Sequence, residues 1–168
     1  VLAPLFRCQR LFVQRRAVKG VTPDPNCVVK GYRLDNGEFT TYITECLVHN
    51  EPEGIFPDHE HICLESACDT GFPYYPPRDL WKLKLDGSQQ RVRMTSMPAG
   101  HTWKATNSNV SPDGRWLAFM VGLREDEAGY GRGLGLLDLE AWGQSPESQQ
   151  WETPTSRAQA RLDADRKR

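Results

Sequence analysis

The chain has 168 residues, of which 38% are apolar and 26% charged, a composition typical of one globular domain. Its 21 basic and 22 acidic side chains leave a formal charge of -1, which excludes a general electrostatic attraction to nucleic acid. Every apolar stretch is interrupted well before the roughly 18 residues of a membrane-spanning helix, so we expect no membrane insertion.

Residues 1–27 form a basic N-terminal segment. Its apolar core, residues 11–13, is flanked by Arg10 and Gln14 and is shorter than the run of about 7 to 15 residues in a secretory signal. We therefore interpret these residues as a short strand that belongs to a preceding structural unit. Because the chain begins at Val1 rather than at Met, we expect a fragment of a longer protein.

Three later segments share one pattern, an apolar strand that reaches an aspartate next to a leucine. These aspartates, Asp35, Asp86 and Asp138, lie 51 and 52 positions apart. The first two segments continue into a turn with Gly37 or Gly87, a pattern typical of a β-hairpin. The near-constant spacing indicates an internal repeat.

A second pattern occurs between the hairpins. A Pro-Asp-Gly turn at residues 112–114 precedes an apolar strand, and a weaker copy occurs 55 positions upstream with His59 in place of Gly114. Proline presets φ, aspartate binds the backbone ahead of it, and glycine accepts a positive φ without steric conflict. We therefore expect mild backbone strain at His59.

A period near 50 residues made of short strands predicts an all-β fold of antiparallel four-stranded propeller blades. Residues 111–119, Ser-Pro-Asp-Gly-Arg-Trp-Leu-Ala-Phe, resemble the repeat of TolB-like β-propellers, and residues 80–95 and 50–65 resemble further parts of such blades. The resemblance covers about residues 28–142 and implies a partial TolB-like β-propeller of about two to three blades. Because peptidase propellers and lyases share such repeats, it implies the fold more specifically than the function.

The predicted blades do not complete a ring. Closed propellers have at least about four blades, and an open stack leaves strand edges exposed. We expect the remaining blades to be supplied by a longer chain, with self-association as the alternative. Residues 143–168 are rich in Gln, Ser, Glu, Pro and Arg and predict a disordered polar tail.

Histidines are the best candidates for metal ligands. His59 and His61 are alternate residues of a predicted strand and would project from the same face, and His49 or His101 would add a ligand. The resemblance implies the same chemistry, because a TolB-like oligogalacturonate lyase holds a divalent metal with histidines. We prefer the alternative that His59 and His61 reflect ordinary variation at a blade turn.

No catalytic residue is predicted. The sequence has no Gly-x-Ser-x-Gly motif, and Ser111 lies in a Pro-Asp-Gly turn rather than at a strand-to-helix bend. The five cysteines are irregularly spaced and include no Cys-x-x-Cys pair, which argues against zinc. A disulfide between Cys63 and Cys68 stays open beside simple core packing.

Aromatic residues indicate a recognition surface. Tyr74 and Tyr75, next to two prolines, predict an exposed loop, and Trp103 is a further candidate contact. The leading prediction is a non-catalytic propeller repeat module that binds a protein or glycan partner. The alternatives are a metal-dependent propeller enzyme resembling oligogalacturonate lyase and the propeller part of a prolyl-oligopeptidase-type peptidase. The TolB-like resemblance implies a periplasmic or extracellular location.

Overall fold

The computed structural model describes residues 10–14, 26–46, 49–67, 78–98, 103–123, 125–127 and 129–153. These residues form ten β-strands in three antiparallel sheets, one short α-helix and one turn of 3-10 helix. The prediction of an all-β, antiparallel fold is confirmed.

Within each sheet, strands that are consecutive in sequence are also neighbours in space, the meander expected of a propeller blade. The first sheet contains β1 (Arg10–Gln14), β2 (Asn26–Arg33) and β3 (Phe39–Cys46). The middle sheet contains β4 (Asn50–Ile55), β5 (His61–Ser66), β6 (Asp79–Lys84) and β7 (Arg91–Arg93). The third sheet contains β8 (Trp103–Val110), β9 (Trp116–Leu123) and β10 (Gly133–Asp138).

The turns that join β4 to β5 and β8 to β9 have the same hydrogen-bond pattern. In residues 56–61 and in residues 111–116, the first amide donates to the last carbonyl and the fourth amide donates to the first carbonyl, at 2.8 to 3.0 Å. The fourth residue has a positive φ in both turns, 57° at His59 and 74° at Gly114. The expectation of a strained backbone at His59 is therefore confirmed.

The chain leaves the third sheet by a helix rather than by a hairpin. Asp138 caps α1 (Leu139–Gly143), and its Oδ1 accepts from the amides of Glu140 and Ala141 at 3.0 and 3.1 Å. A 3-10 turn (Pro146–Gln149) follows. In the described part of the chain, neither helix has the length or the apolar character to cross a membrane.

Part of the predicted tail returns to the middle sheet. Glu152 forms an isolated antiparallel bridge with Arg91 of β7, with reciprocal amide-to-carbonyl hydrogen bonds of 2.9 Å. The remainder of the predicted tail, residues 154–168, lies outside the described residues, as does most of the basic N-terminal segment. The predicted domain boundaries stay predictions.

Two apolar clusters hold the three sheets together by burying their facing surfaces. The first cluster joins the first and middle sheets and contains Val29, Tyr42, Ile43, Ile62, Leu64, Trp81 and Leu83. The second joins the middle and third sheets and contains Phe56, Cys63, Leu80, Met94, Ala105, Leu117, Phe119 and Leu139. Because successive residues of β5 enter opposite clusters, the middle sheet is covered on both faces.

Candidate functional site

A cluster of ionisable side chains lies where β4 and β5 meet β8, and we call it the His49 cluster. The Nε2 atom of His49 lies 3.2 Å from Oε2 of Glu51 and 3.5 Å from Oε1 of Glu65. Glu51 and Glu65 are direct partners in the β4–β5 register, which places both carboxylates on one face of the sheet. Arg78, just before β6, donates from Nη1 to Oε1 of Glu65 at 2.5 Å.

The His49 cluster combines three carboxylates, those of Glu51, Glu53 and Glu65, with the imidazole of His49 and the guanidinium of Arg78. Burial, followed by the negative charges of Glu65 and Glu51, raises the pKa of Glu53 to about 7. Burial lowers the pKa of His49, but its hydrogen bonds with Glu51 and Glu65 outweigh this effect, so that its pKa lies above the ordinary value. Near pH 7, Glu53 therefore changes between its charged and neutral forms, and the surroundings of His49 favour its protonated form.

The composition of the His49 cluster also fits a divalent cation. One ligand atom from each of His49, Glu51 and Glu65 lies within 4.8 Å of the others, and imidazole and carboxylate are common ligands of zinc and manganese. The ion pair between Arg78 and Glu65 competes with such a cation for the same carboxylate. In the described residues, this is the one group of three or more such side chains within that distance.

One end of the middle and third sheets brings the His49 cluster close to the start of β8. The amide of Ala67 donates to the carbonyl of His49 at 3.1 Å, and the amide of Ala105 donates to the carbonyl of Arg78 at 3.0 Å. Ala67 and Arg78 flank residues 68–77, and Trp103 lies two positions before Ala105. We call this end, where β4 and β8 begin, the cluster end.

The recognition residues predicted from the sequence are only partly described. Trp103 is the first residue of β8, is half-buried, and pairs with Leu123 of β9. Tyr74 and Tyr75 lie outside the described residues, and so does His101. Their assignment to a binding surface stays a prediction.

His59 and His61 lie at the opposite end of the middle sheet, in and just after the β4–β5 turn. Nδ1 of His61 lies 2.8 Å from Oδ2 of Asp58, and both histidines line a pocket of about 440 Å³ together with Lys84. In the described residues, His59 and His61 belong to no group of three such side chains whose ligand atoms all lie within 4.8 Å of one another, and the Lys84 ammonium is an unfavourable neighbour for a cation. Metal binding by His59 and His61 stays a prediction.

The cysteine at the centre of the middle sheet is a core residue. Cys63 is a free thiol with no exposed surface, and burial raises its pKa to about 12. The Ser108 hydroxyl lies 2.9 Å from its sulfur. A thiol that stays protonated and buried is a poor nucleophile, and Cys63 therefore serves packing.

The carboxylates of the His49 cluster were missed from the sequence, although a signal was present. His49, Glu51 and Glu53 are alternate residues, which predicts one shared face if the segment is a strand. Glu65 could not be added, because its place opposite Glu51 depends on the β4–β5 register.

Comparison with known proteins supports the fold alone. No protein-family model matches the chain, and no curated protein matches it. The crystal structure of TolB from Acinetobacter baumannii is similar, with a TM-score of 0.52 and 14% sequence identity. The match covers 79% of this chain and 28% of the TolB chain. The three blade-like sheets are accordingly a partial TolB-like β-propeller, as the sequence predicted.

Proposed function

We propose that this chain is a non-catalytic β-propeller repeat module that binds a protein or glycan partner at the cluster end. The carrying observation is the convergence of three carboxylates, those of Glu51, Glu53 and Glu65, beside one imidazole and one guanidinium. By analogy with the fold, we place the module in the periplasm or outside the cell.

The charge of this surface favours a protein partner over a neutral glycan. Glu51 and Glu53 are partly exposed, so a lysine or arginine of a partner has access to them. Such a side chain would pair with these carboxylates and would lower the pKa of Glu53. We assign Trp103, and the loop residues Tyr74 and Tyr75, to apolar contacts around this ion pair.

The test is titration of the whole chain with a fluorescent lysine-rich peptide, with a glutamate-rich peptide as the control ligand. We expect the double variant Glu51→Gln/Glu53→Gln to weaken lysine-peptide binding about tenfold, since ion pairs at a partly desolvated site contribute roughly 1–2 kcal/mol. Glu60→Gln is the matched control, because Glu60 is an exposed carboxylate at the opposite end of the sheet.

Equal binding by the wild type and the double variant would contradict the charge argument. Binding of an uncharged oligosaccharide that is lost in Trp103→Ala but kept in the double variant would identify a glycan partner instead. Peptide binding should also weaken as the pH falls through about 7, because protonation of Glu53 removes one of the recognising charges.

A divalent-metal site is the second candidate function, and it would support a metal-dependent propeller enzyme resembling oligogalacturonate lyase. The specific observation is the approach of His49, Glu51 and Glu65 to within 4.8 Å of one another. Equilibrium dialysis with Mn²⁺ or Zn²⁺ alone tests it. Loss of stoichiometric binding in His49→Ala would assign the metal to the His49 cluster, whereas loss in His59→Ala and His61→Ala would assign it to the turn histidines.

A further inference from the structure

The third sheet presents an open apolar face. Leu134 and Leu136 of β10 are alternate residues with exposed fractions of 88% and 65%. They pair with Met120 and Ala118 of β9, so all four project from one side of the sheet. This side is opposite to the one that contributes Leu117 and Phe119 to the second apolar cluster.

The middle sheet shows what such a face contacts. Glu65 of β5 and Met120 of β9 occupy equivalent positions, because each lies four residues after the matching turn of its hairpin. Leu80 of β6 pairs with Glu65, and Leu134 of β10 pairs with Met120. Leu80 is therefore the counterpart of Leu134 in the middle sheet. Leu80 has no exposed surface, because the third sheet covers it. The open face of the third sheet therefore corresponds to a surface that the middle sheet buries under the next sheet.

The first sheet presents the complementary open face. The hydrogen bond from the Arg33 amide to the Glu38 carbonyl corresponds to the one from the Lys84 amide to the Gln90 carbonyl, both 2.9 Å, so β2 aligns with β6. In this alignment Leu34 corresponds to Leu85, which packs against the first apolar cluster. Leu34, however, is 61% exposed.

Phe39 extends this face of the first sheet. It is 63% exposed, pairs with Tyr32 across β2 and β3, and has its ring centroid 4.9 Å from that of Tyr32. Tyr32 corresponds to Leu83, a residue of the first apolar cluster that faces the preceding sheet. The first sheet thus leaves open the kind of surface that the middle sheet buries against its predecessor.

We propose that two copies of this chain, rather than further blades of a longer chain, cover these faces by docking head to tail, with the open face of the third sheet of each copy covering the open face of the first sheet of the other. Inside the chain, contacts of this kind already join the first sheet to the middle sheet and the middle sheet to the third. Two copies bring together six sheets, within the range of about four to eight blades of closed propellers. A contact between unlike surfaces closes into a ring when its rotation permits.

This docking is independent of the proposed partner binding. It uses Leu134, Leu136, Leu34 and Phe39 on the sheet faces, whereas the partner site consists of charged residues at the cluster end. The Leu134 variant below is therefore expected to retain binding of the lysine-rich peptide.

The experiment is sedimentation of the full chain over a range of concentrations, with one charge placed on each open face. We expect the wild type to form a species of twice the 19.1 kDa chain mass. Leu134→Asp and Phe39→Asp should each sediment as single chains, with unchanged circular dichroism. Thr40→Asp is the matched control, because Thr40 is exposed and projects from the other face of the same strand as Phe39.

Mixing the two variants distinguishes head-to-tail docking from other modes. In a pair made of one Leu134→Asp chain and one Phe39→Asp chain, both introduced aspartates lie at the same sheet-to-sheet contact, and the other contact keeps its wild-type residues. An equimolar mixture should therefore recover part of the paired species. A single-chain wild type, a pair that persists in both variants, a pair sensitive to only one of them, or failure to recover on mixing would each overturn the proposal. Larger assemblies that grow with concentration would overturn closure.

Discussion

The β4–β5 and β8–β9 hairpins have the same turn geometry but different surroundings. Their turns share two backbone hydrogen bonds and a positive φ at the fourth residue. Five of the six residues of β5 are nevertheless buried, whereas buried and more exposed residues intermingle along β9. Local turn chemistry thus sets the hairpin, and the neighbouring sheets decide how much of each strand is covered.

The first prediction addresses this difference in burial and has the largest expected effect. Leu64 has no exposed surface and lies in the first apolar cluster, so Leu64→Ala should lower the free energy of unfolding by about 2–5 kcal/mol. Urea denaturation measures it. Leu85→Ala, at a partly buried position just after β6, should cost clearly less, and equal losses would contradict the assigned burial.

The second prediction addresses the turn of the β8–β9 hairpin. Gly114 has a φ of 74°, and an added Cβ would lie 3.3 Å from Cγ of Pro57. We expect Gly114→Ala to lower the free energy of unfolding by about 1–2 kcal/mol. Gly133→Ala is the control, because no atom lies within 4 Å of its added Cβ, and its stability should stay within about 0.5 kcal/mol of the wild type.

The third prediction reverses that substitution in the other turn. His59 adopts a φ of 57°, so His59→Gly should raise the free energy of unfolding by roughly 0.5–1 kcal/mol. Thermal unfolding followed by circular dichroism reports the change. His59→Ala keeps the strain and should bring no gain, whereas a loss of stability in the glycine variant would show that the His59 side chain outweighs its backbone strain.

The fourth prediction has the smallest expected effect and concerns the ionisation of Glu53 in β4. The pKa of Glu53 is about 7 in the folded chain, above its ordinary value of 4.5. Above pH 7 its carboxylate is therefore charged, and this charge destabilises the folded state relative to the unfolded state. Glu53→Gln should stabilise the chain at pH 8 by less than about 1 kcal/mol, since the side chain is partly exposed. The gain should fade between pH 7 and 4.5, and a constant gain would exclude the ionisation of Glu53 as its source.

The fold could be predicted because its signals are local. The Pro-Asp-Gly turn at residues 112–114, its copy at 57–59 and the hairpin at Asp86 each encode a bend over a few residues. The segment around Asp138 differs from the segments around Asp35 and Asp86, because Asp138 caps a helix instead of entering a hairpin. In the strand register, Asp138 pairs with Trp116 as Lys84 pairs with His61, so Asp138 corresponds to Lys84 and not to Asp86. The spacing from Asp86 to Asp138 in the sequence is therefore two residues shorter than the spacing from Lys84 to Asp138 that the strand register gives.

The candidate site could not be predicted in the same way, because it depends on contacts between strands. Glu65 reaches His49 only through the β4–β5 register, and Arg78 reaches Glu65 only through the β5–β6 pairing. The prediction that His59 and His61 bind a metal depends on their closeness in the sequence. Closeness in the sequence can place two side chains on one face of a strand, but it does not supply a third ligand from another strand.

The bridge between Arg91 and Glu152 covers part of one edge of the middle sheet. β7 is the outer strand of the middle sheet, and an outer strand with free amides and carbonyls is a template for intermolecular β-pairing. Residues 151–153 occupy part of that edge, and the Arg91 Nε atom lies 3.3 Å from Oε1 of Glu152. Truncation before Trp151 would uncover this edge and promote aggregation.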